Sequence, residues 1–383
     1  YTGSADASGA DVVFNDKVFI NGDVIIDTDT GVADTTSDGA INFAAGTIEA
    51  TTSGAASSQT LTLESGTGTI TLQKIGTVAA IDALTINTQT TATSTLTVKE
   101  IGLGTVDAAT DGTNFAGVSG DVNIGNANSG VITFNGVIYK TDGAFNVTTG
   151  GGSDTSDKEI VFSGANPFIS TSSDQVTLNG GEVDIANGTL TINTNRNNGA
   201  NTGGNITIAK TVYGNSDESL VLDAHSAGSG TISLGPVGAS TSQIAGITAT
   251  AEGGITLNGS IITSDAGTGI TFNDNVIIAD NTSVTITTNS GGTDGGVTFG
   301  ASISGVGGTD ATNATSENLT IDSGRGNVSI ATVGVSANTA LNNLTINSGT
   351  GAGDSAVDMD GDITISGNIG ASSGGSVTVE GVT

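Results

Sequence analysis

The sequence predicts an all-β protein: a right-handed parallel β-helix (β-solenoid) with about three short strands per coil and no helices. Three observations predict it. Apolar–polar–apolar triplets recur along the whole chain. Turn-forming Gly, Asn, Ser and Asp separate them. Larger blocks built from triplets repeat in the same order.

The triplets carry the strands. Leu61-Thr62-Leu63, Leu84-Thr85-Ile86, Val122-Asn123-Ile124, Ile132-Thr133-Phe134, Ile206-Thr207-Ile208, Leu319-Thr320-Ile321 and Ile363-Thr364-Ile365 are examples. Roughly thirty such units satisfy the strand criteria. Period two with β-branched residues turns the outer side chains to a core and the middle one to solvent. No stretch holds a helical apolar spacing beyond one turn, and Gly and Thr are too frequent to sustain a helix.

The blocks carry the coils. Residues 61–87 (LTLESGTGTITLQKIGTVAAIDALTIN) and 319–347 (LTIDSGRGNVSIATVGVSANTALNNLTIN) share a triplet, SGxG, a second triplet, a Gly and LTIN. VVFNDKVFINGDVIIDT (12–28) and ITFNDNVIIADNTSVTITT (270–288) form a second pair. The super-repeat therefore spans 12–87 and 270–347, with a looser copy between them at 220–249. One continuous shaft over residues 1–383 is expected. A three-residue strand alone cannot offset the entropy of ordering its backbone; stacked on the next coil, it gains ladder hydrogen bonds and a continuous interior. About 20–28 residues per coil gives some 14–19 coils and a rod about 65–90 Å long. The right hand follows the known preference of solenoids rather than any residue.

Composition points the same way. The chain has 383 residues, 60 Gly and no Trp, and only 3% is aromatic, so one thick core built on large side chains is excluded. A net charge of −30, from 38 acidic and 8 basic residues, argues against nucleic acid and against an anionic bilayer. No apolar run approaches membrane-spanning length, so no membrane insertion is expected. There is no Cys to form disulfides, so stability must come from stacking. The opening YTGSADASGADVV has neither a basic start nor an apolar leader core, and the chain reads as a piece of something longer.

ITFNDNVIIADNTSVTITT, LTIDSGRGNVSI and ALNNLTIN resemble the repeats of very large bacterial surface exoproteins of the filamentous haemagglutinin type, which are often exported by two-partner secretion. The resemblance covers nearly the whole chain. It implies a β-helical shaft, outside the cell or on the bacterial surface. Some adhesins of that family are glycosylated at N-x-S/T sequons, which occur here at Asn146, Asn187, Asn205, Asn258, Asn281, Asn318, Asn327 and Asn343.

Catalytic chemistry is sparse. His225 is the single histidine and sits in a variable turn, LVLDAHSAGSG, so a nucleophilic triad cannot be assembled. Lys99-Glu100, Lys158-Glu159 and Arg196 read as solvated charges. Phe14, Phe134, Phe272 and Phe299 close triplets and read as core, whereas Tyr139 and Tyr213 read as candidates for exposure. No enzyme activity and no obligatory cofactor are expected. The one candidate metal site is Asp358-Met359-Asp360-Gly361-Asp362, where Asp358, Asp360 and Asp362 alternate around a Gly like half of a Ca²⁺ loop. An ordinary acidic turn is the plainer reading of the same residues, because the closing Glu is missing.

Three functions follow as expectations. The first is a structural shaft of a secreted or surface-attached fibre, associating with itself end to end or side by side. The second is a module that recognises a host or surface glycan or a receptor through loops such as 103–120 or 148–160. The third, and most remote, is a polysaccharide lyase or hydrolase, which needs carboxylates converging on one groove.

Overall fold

The computed structural model describes residues 10–29, 38–51, 58–87, 94–103, 117–151, 158–195, 203–225, 229–264, 268–288, 294–306, 317–334, 340–348 and 361–381. Among them the regular elements are 34 strands, with no helix. Strand pairings between them are parallel, an arrangement consistent with a parallel β-helix. The chain falls into two compact units, Tyr1–Lys210 and Thr211–Thr383.

In the first unit three ladders run side by side through the sequence, and each pass of the chain adds one rung to each. The first ladder stacks Val12–Phe14, Ile41–Phe43, Ile70–Ile75, Leu96–Ile101, Ile132–Phe134, Glu159–Phe162 and Glu182–Ile185. The second takes Val18–Ile20, Ile48–Ala50, the ends of Ile70–Ile75 and Leu96–Ile101, then Ile138–Lys140, Phe168–Ser170 and Thr189–Asn193. The third takes Val24–Asp27, Thr60–Glu64, Ala83–Ile86, Val122–Ile124, Phe145–Thr148, Val176–Asn179 and Ile206–Ile208.

Register follows the triplets. Ile132, Thr133 and Phe134 lie between Leu96, Thr97, Val98 and Ile160, Val161, Phe162. The outer residues of Ile132–Phe134 are buried and the middle one is half-buried. A shift of one residue would expose the whole apolar set, so the alternation pins the register. Each fully buried Ile, Leu or Val stabilises the fold by about 1.5–3 kcal/mol relative to exposure. Aromatics stack the same way: Phe134 lies 5.0 Å from Phe162 with rings nearly parallel, and Phe14 lies 4.7 Å from Phe43.

The second unit repeats the scheme. Ser219–Asp223, Gly246–Thr250, Gly269–Phe272, Val297–Gly305, Val328–Val333 and Ile363–Ile365 stack in order. Ile261–Ile262, Ser283–Thr287, Asn318–Gly324, Leu341–Ser348 and Ala371–Gly381 form another ladder.

The passes vary more than the expected coil length. One takes 23 residues, from Ile160 to its partner Val183, and another takes 36, from Leu96 to Ile132. Extra residues enter between rungs and leave the pairing intact. Both SGxG motifs form the same turn. Gly66 and Gly324 adopt φ of 56° and 53°, a region that only glycine enters without strain. Gly68 N–H donates to Ser65 O at 2.7 Å, and Gly326 N–H donates to Ser323 O at 2.7 Å.

Candidate functional surfaces

The metal candidate is only partly visible. Asp358 and Asp360 lie outside the described residues. Asp362 is exposed, its N–H donates to Asn327 Oδ1 at 2.9 Å, and its carbonyl accepts Val328 N–H at 2.8 Å. Among the described residues no group of three or more His, Cys, Asp or Glu is placed to hold a metal ion.

Carboxylates of one pass instead accept backbone N–H groups of a neighbouring pass. Asp11 accepts from Ala40 at 2.8 Å and Asp121 from Ala144 at 2.9 Å. In both cases the acceptor immediately precedes its triplet and the donor immediately precedes the triplet stacked on it. Asn327 does the same for Asp362. Asp38 accepts from Thr67 N–H at 2.7 Å, and Asp274 from Ala251 N–H at 2.8 Å. A charged acceptor on an otherwise unpaired N–H makes a strong hydrogen bond. These aspartates therefore hold neighbouring passes together as well as contributing to the net charge. The signal was present as Asp or Asn directly ahead of a triplet, in DVV (11–13), DVN (121–123) and NVS (327–329).

Glu49 is the most enclosed case. It is the middle residue of Ile48–Ala50, where a solvent-facing side chain is expected, yet it is 1% exposed. Its carboxylate accepts Val78 and Ala79 N–H at 2.9 Å each, Thr77 N–H at 3.2 Å and Thr77 Oγ1–H at 2.5 Å. Burial alone would raise its pKa. The donors from Ala79, Thr77 and Val78 outweigh burial and hold it below the usual carboxylate range.

Glu182 shows the opposite balance. It stacks Cα to Cα on Glu159, and its pKa is raised, first by burial and then by the Glu159 charge. Glu100, read as a solvated charge, is stacked on Lys74 and forms an ion pair with it.

His225 lies in an exposed turn, with Nε2 3.4 Å from Glu252 Oε1. Arg196 lies outside the described residues. Phe134, Phe272 and Phe299 are buried as expected, and Phe14 is half-buried. Tyr139 corrects an expectation of exposure: it is fully buried, in register with Ile101 and Ile169. Its strand, Ile138–Lys140, turns the middle residue inward. Gly136 N–H donates to Tyr139 Oη at 2.8 Å, and the hydroxyl faces Val98 O at 3.4 Å. Burial pushes the phenol well above its ordinary range.

A polar concavity lies on the third ladder of the first unit. It has a volume of about 330 Å³ and is lined by Thr85, Asn123, Ile124, Gly125, Asn146 and Thr148. Thr85, Asn123 and Asn146 are outward residues of successive rungs. Asn146 Nδ2 donates to Asn123 Oδ1 at 3.0 Å, and Gln175 Nε2 donates to Asn146 Oδ1 at 3.4 Å. Of the loops expected to make contacts, residues 104–116 of 103–120 and residues 152–157 of 148–160 lie outside the described residues.

No family model, curated protein or solved structure matches the chain. No helix among the described residues is long and apolar enough to cross a membrane.

Proposed function

We propose that the chain is a structural shaft segment of a secreted or surface-attached bacterial fibre, similar in kind to the filamentous haemagglutinin type. In this reading the three ladders close into a right-handed parallel β-helix, and each pass is one coil. The observation that carries the reading is the shared register of the ladders, with Ile, Leu, Val and Phe stacked inward on rung after rung. Such a core is quasi-one-dimensional, so it extends by repetition and resists bending along its length. The work of such a segment is reach, rigidity and display, with no chemistry performed. Parallel strand edges accept further strands, so a second copy is the partner this reading proposes. Electron microscopy of the purified protein tests it: particles of uniform width and variable view length support a shaft, and compact globules contradict it.

A second reading is favoured by the concavity at Thr85, Asn123, Asn146 and Thr148. Amide and hydroxyl groups on rigid strands suit recognition of a glycan's hydroxyls. No aromatic side chain lines the concavity, so any such binding is weak. Saturation-transfer NMR against a glycan panel, repeated with Asn123→Ala, tests this reading. Transfer that the substitution abolishes supports it, and no transfer from any glycan removes it.

A further inference from the structure

Five Asn-Gly pairs lie among the described residues, at Asn21, Asn135, Asn179, Asn187 and Asn258. They share a sequence but not a geometry. At Asn21 the side-chain oxygen accepts Thr51 Oγ1–H at 3.0 Å. At Asn258 the side-chain nitrogen donates to Ser233 Oγ at 3.0 Å and Leu234 O at 3.3 Å. At Asn135 the following amide, Gly136 N–H, is occupied by Tyr139 Oη at 2.8 Å. Asn187 is exposed, and none of these hydrogen bonds involves it.

Asn179 differs from all four. Gly180 N–H donates to Asn179 Oδ1 at 2.8 Å, so the acceptor of this amide is the side-chain amide of its own predecessor rather than a distant group such as Tyr139 Oη. The side chain is exposed, and Gly180 carries no Cβ to shield its nitrogen. The turn is held there from both sides. Thr149 N–H donates to Asn179 O at 3.0 Å, and Gly181 N–H donates to Thr149 Oγ1 at 2.7 Å. Gly180 has φ of 98°, and a Cβ on it would meet Thr149 O at 1.8 Å, so no other residue fits. The hydrogen bond and the two contacts with Thr149 hold the Gly180 nitrogen beside the Asn179 side-chain amide, and groups positioned in advance lose less entropy on reacting.

We infer that Asn179-Gly180 is a self-modifying site at which the Gly180 backbone nitrogen closes on the Asn179 side-chain carbonyl carbon. The nitrogen gives its proton to solvent base and bonds to Cγ. The Cγ–Nδ2 bond breaks, and Nδ2 leaves as ammonia after taking up a proton. The product is a five-membered imide. Water adds to one of its two carbonyls: opening at the side-chain carbonyl gives aspartate, and opening at the main-chain carbonyl gives isoaspartate. The isoaspartate form adds a methylene to the backbone of the turn and a negative charge near the stacked Glu159 and Glu182. A shaft that is built once and not renewed would accumulate this change with age.

The test is peptide mapping of the intact protein after long incubation in warm, mildly alkaline buffer, with fragmentation that separates isoaspartate from aspartate. The expected result is conversion at Asn179 ahead of Asn21, Asn135, Asn187 and Asn258, with both products present. In protein held in denaturant the lead of Asn179 disappears. Asn179→Gln removes the product there and leaves the other four unchanged. Conversion at Asn179 no faster than at Asn187 in the folded protein, or aspartate as the sole product, overturns the inference.

Discussion

The carboxylate of Asp294 accepts the backbone N–H of Arg325 at 2.8 Å. Asp294 stands three residues ahead of Val297, Arg325 stands three ahead of Val328, and the two valines are stacked Cα to Cα. Asp38 and Thr67 hold the same places ahead of Ile41 and Ile70, which are also stacked. One acid thus fastens the SGxG turn of the following pass in both units.

Asp294→Ala removes that fastening. The expected cost is about 1–2 kcal/mol, with faster hydrogen exchange at the Arg325 amide. Asp294→Asn keeps an acceptor and loses less. Unchanged protection of Arg325 in the alanine variant would show that the contact does not hold the turn.

Glu49 gives the fold a dependence on acid. Its folded pKa is depressed, so its contribution is complete above the unfolded carboxylate value and is lost as pH falls through the folded one. Glu49→Gln retains the shape but not the charge. Its melting temperature should lie below that of the parent at neutral pH and converge with it in acid. Parallel pH curves for the two proteins would refute the assignment.

Glu182 works in the other direction. Its folded pKa is raised, so stability is greatest below the unfolded value and declines as pH rises through the folded one. Glu182→Gln should melt slightly higher than the parent at neutral pH, by up to about 0.5 kcal/mol. Calorimetry that shows a loss at neutral pH contradicts this balance.

Inward and outward positions on one rung should respond differently. Leu84 is fully buried, and Leu84→Ala costs about 2–5 kcal/mol through lost burial and the cavity left behind. The outward neighbour Thr85 tolerates Thr85→Val to within about 0.5 kcal/mol. Equal losses from the two, measured by urea titration, would mean that the alternation does not define the core.

The strands were legible because their signal is local. Triplets such as Val122-Asn123-Ile124 and Leu190-Thr191-Ile192 announce inside and outside within three residues, and both fold that way. Glu49 and Tyr139 were not legible. Their sequence places are those of outward residues, and only the loop at Thr77–Ala79 and the in-register neighbours Ile101 and Ile169 show why they are enclosed. The acid fastenings were hidden for a related reason. Asp38 and Thr67 are 29 residues apart, and nothing links them until the rungs are placed in register. The metal candidate at Asp358, Asp360 and Asp362 rested on local alternation alone, and of the three only Asp362 is described, where it stands at the equivalent of Asn327 one pass later.

The register itself is open to a direct chemical measurement, because the chain has no cysteine of its own. Thr97 and Thr133 are outward residues on adjacent rungs, stacked Cα to Cα. Parallel rungs lie about 4.8 Å apart, within the span that a disulfide bridges. The double variant Thr97→Cys, Thr133→Cys should form an intramolecular disulfide on mild oxidation, and the offset pair Thr97→Cys, Asn135→Cys should form far less. Equal cross-linking of the two pairs, or none in the first, would contradict rungs stacked in register.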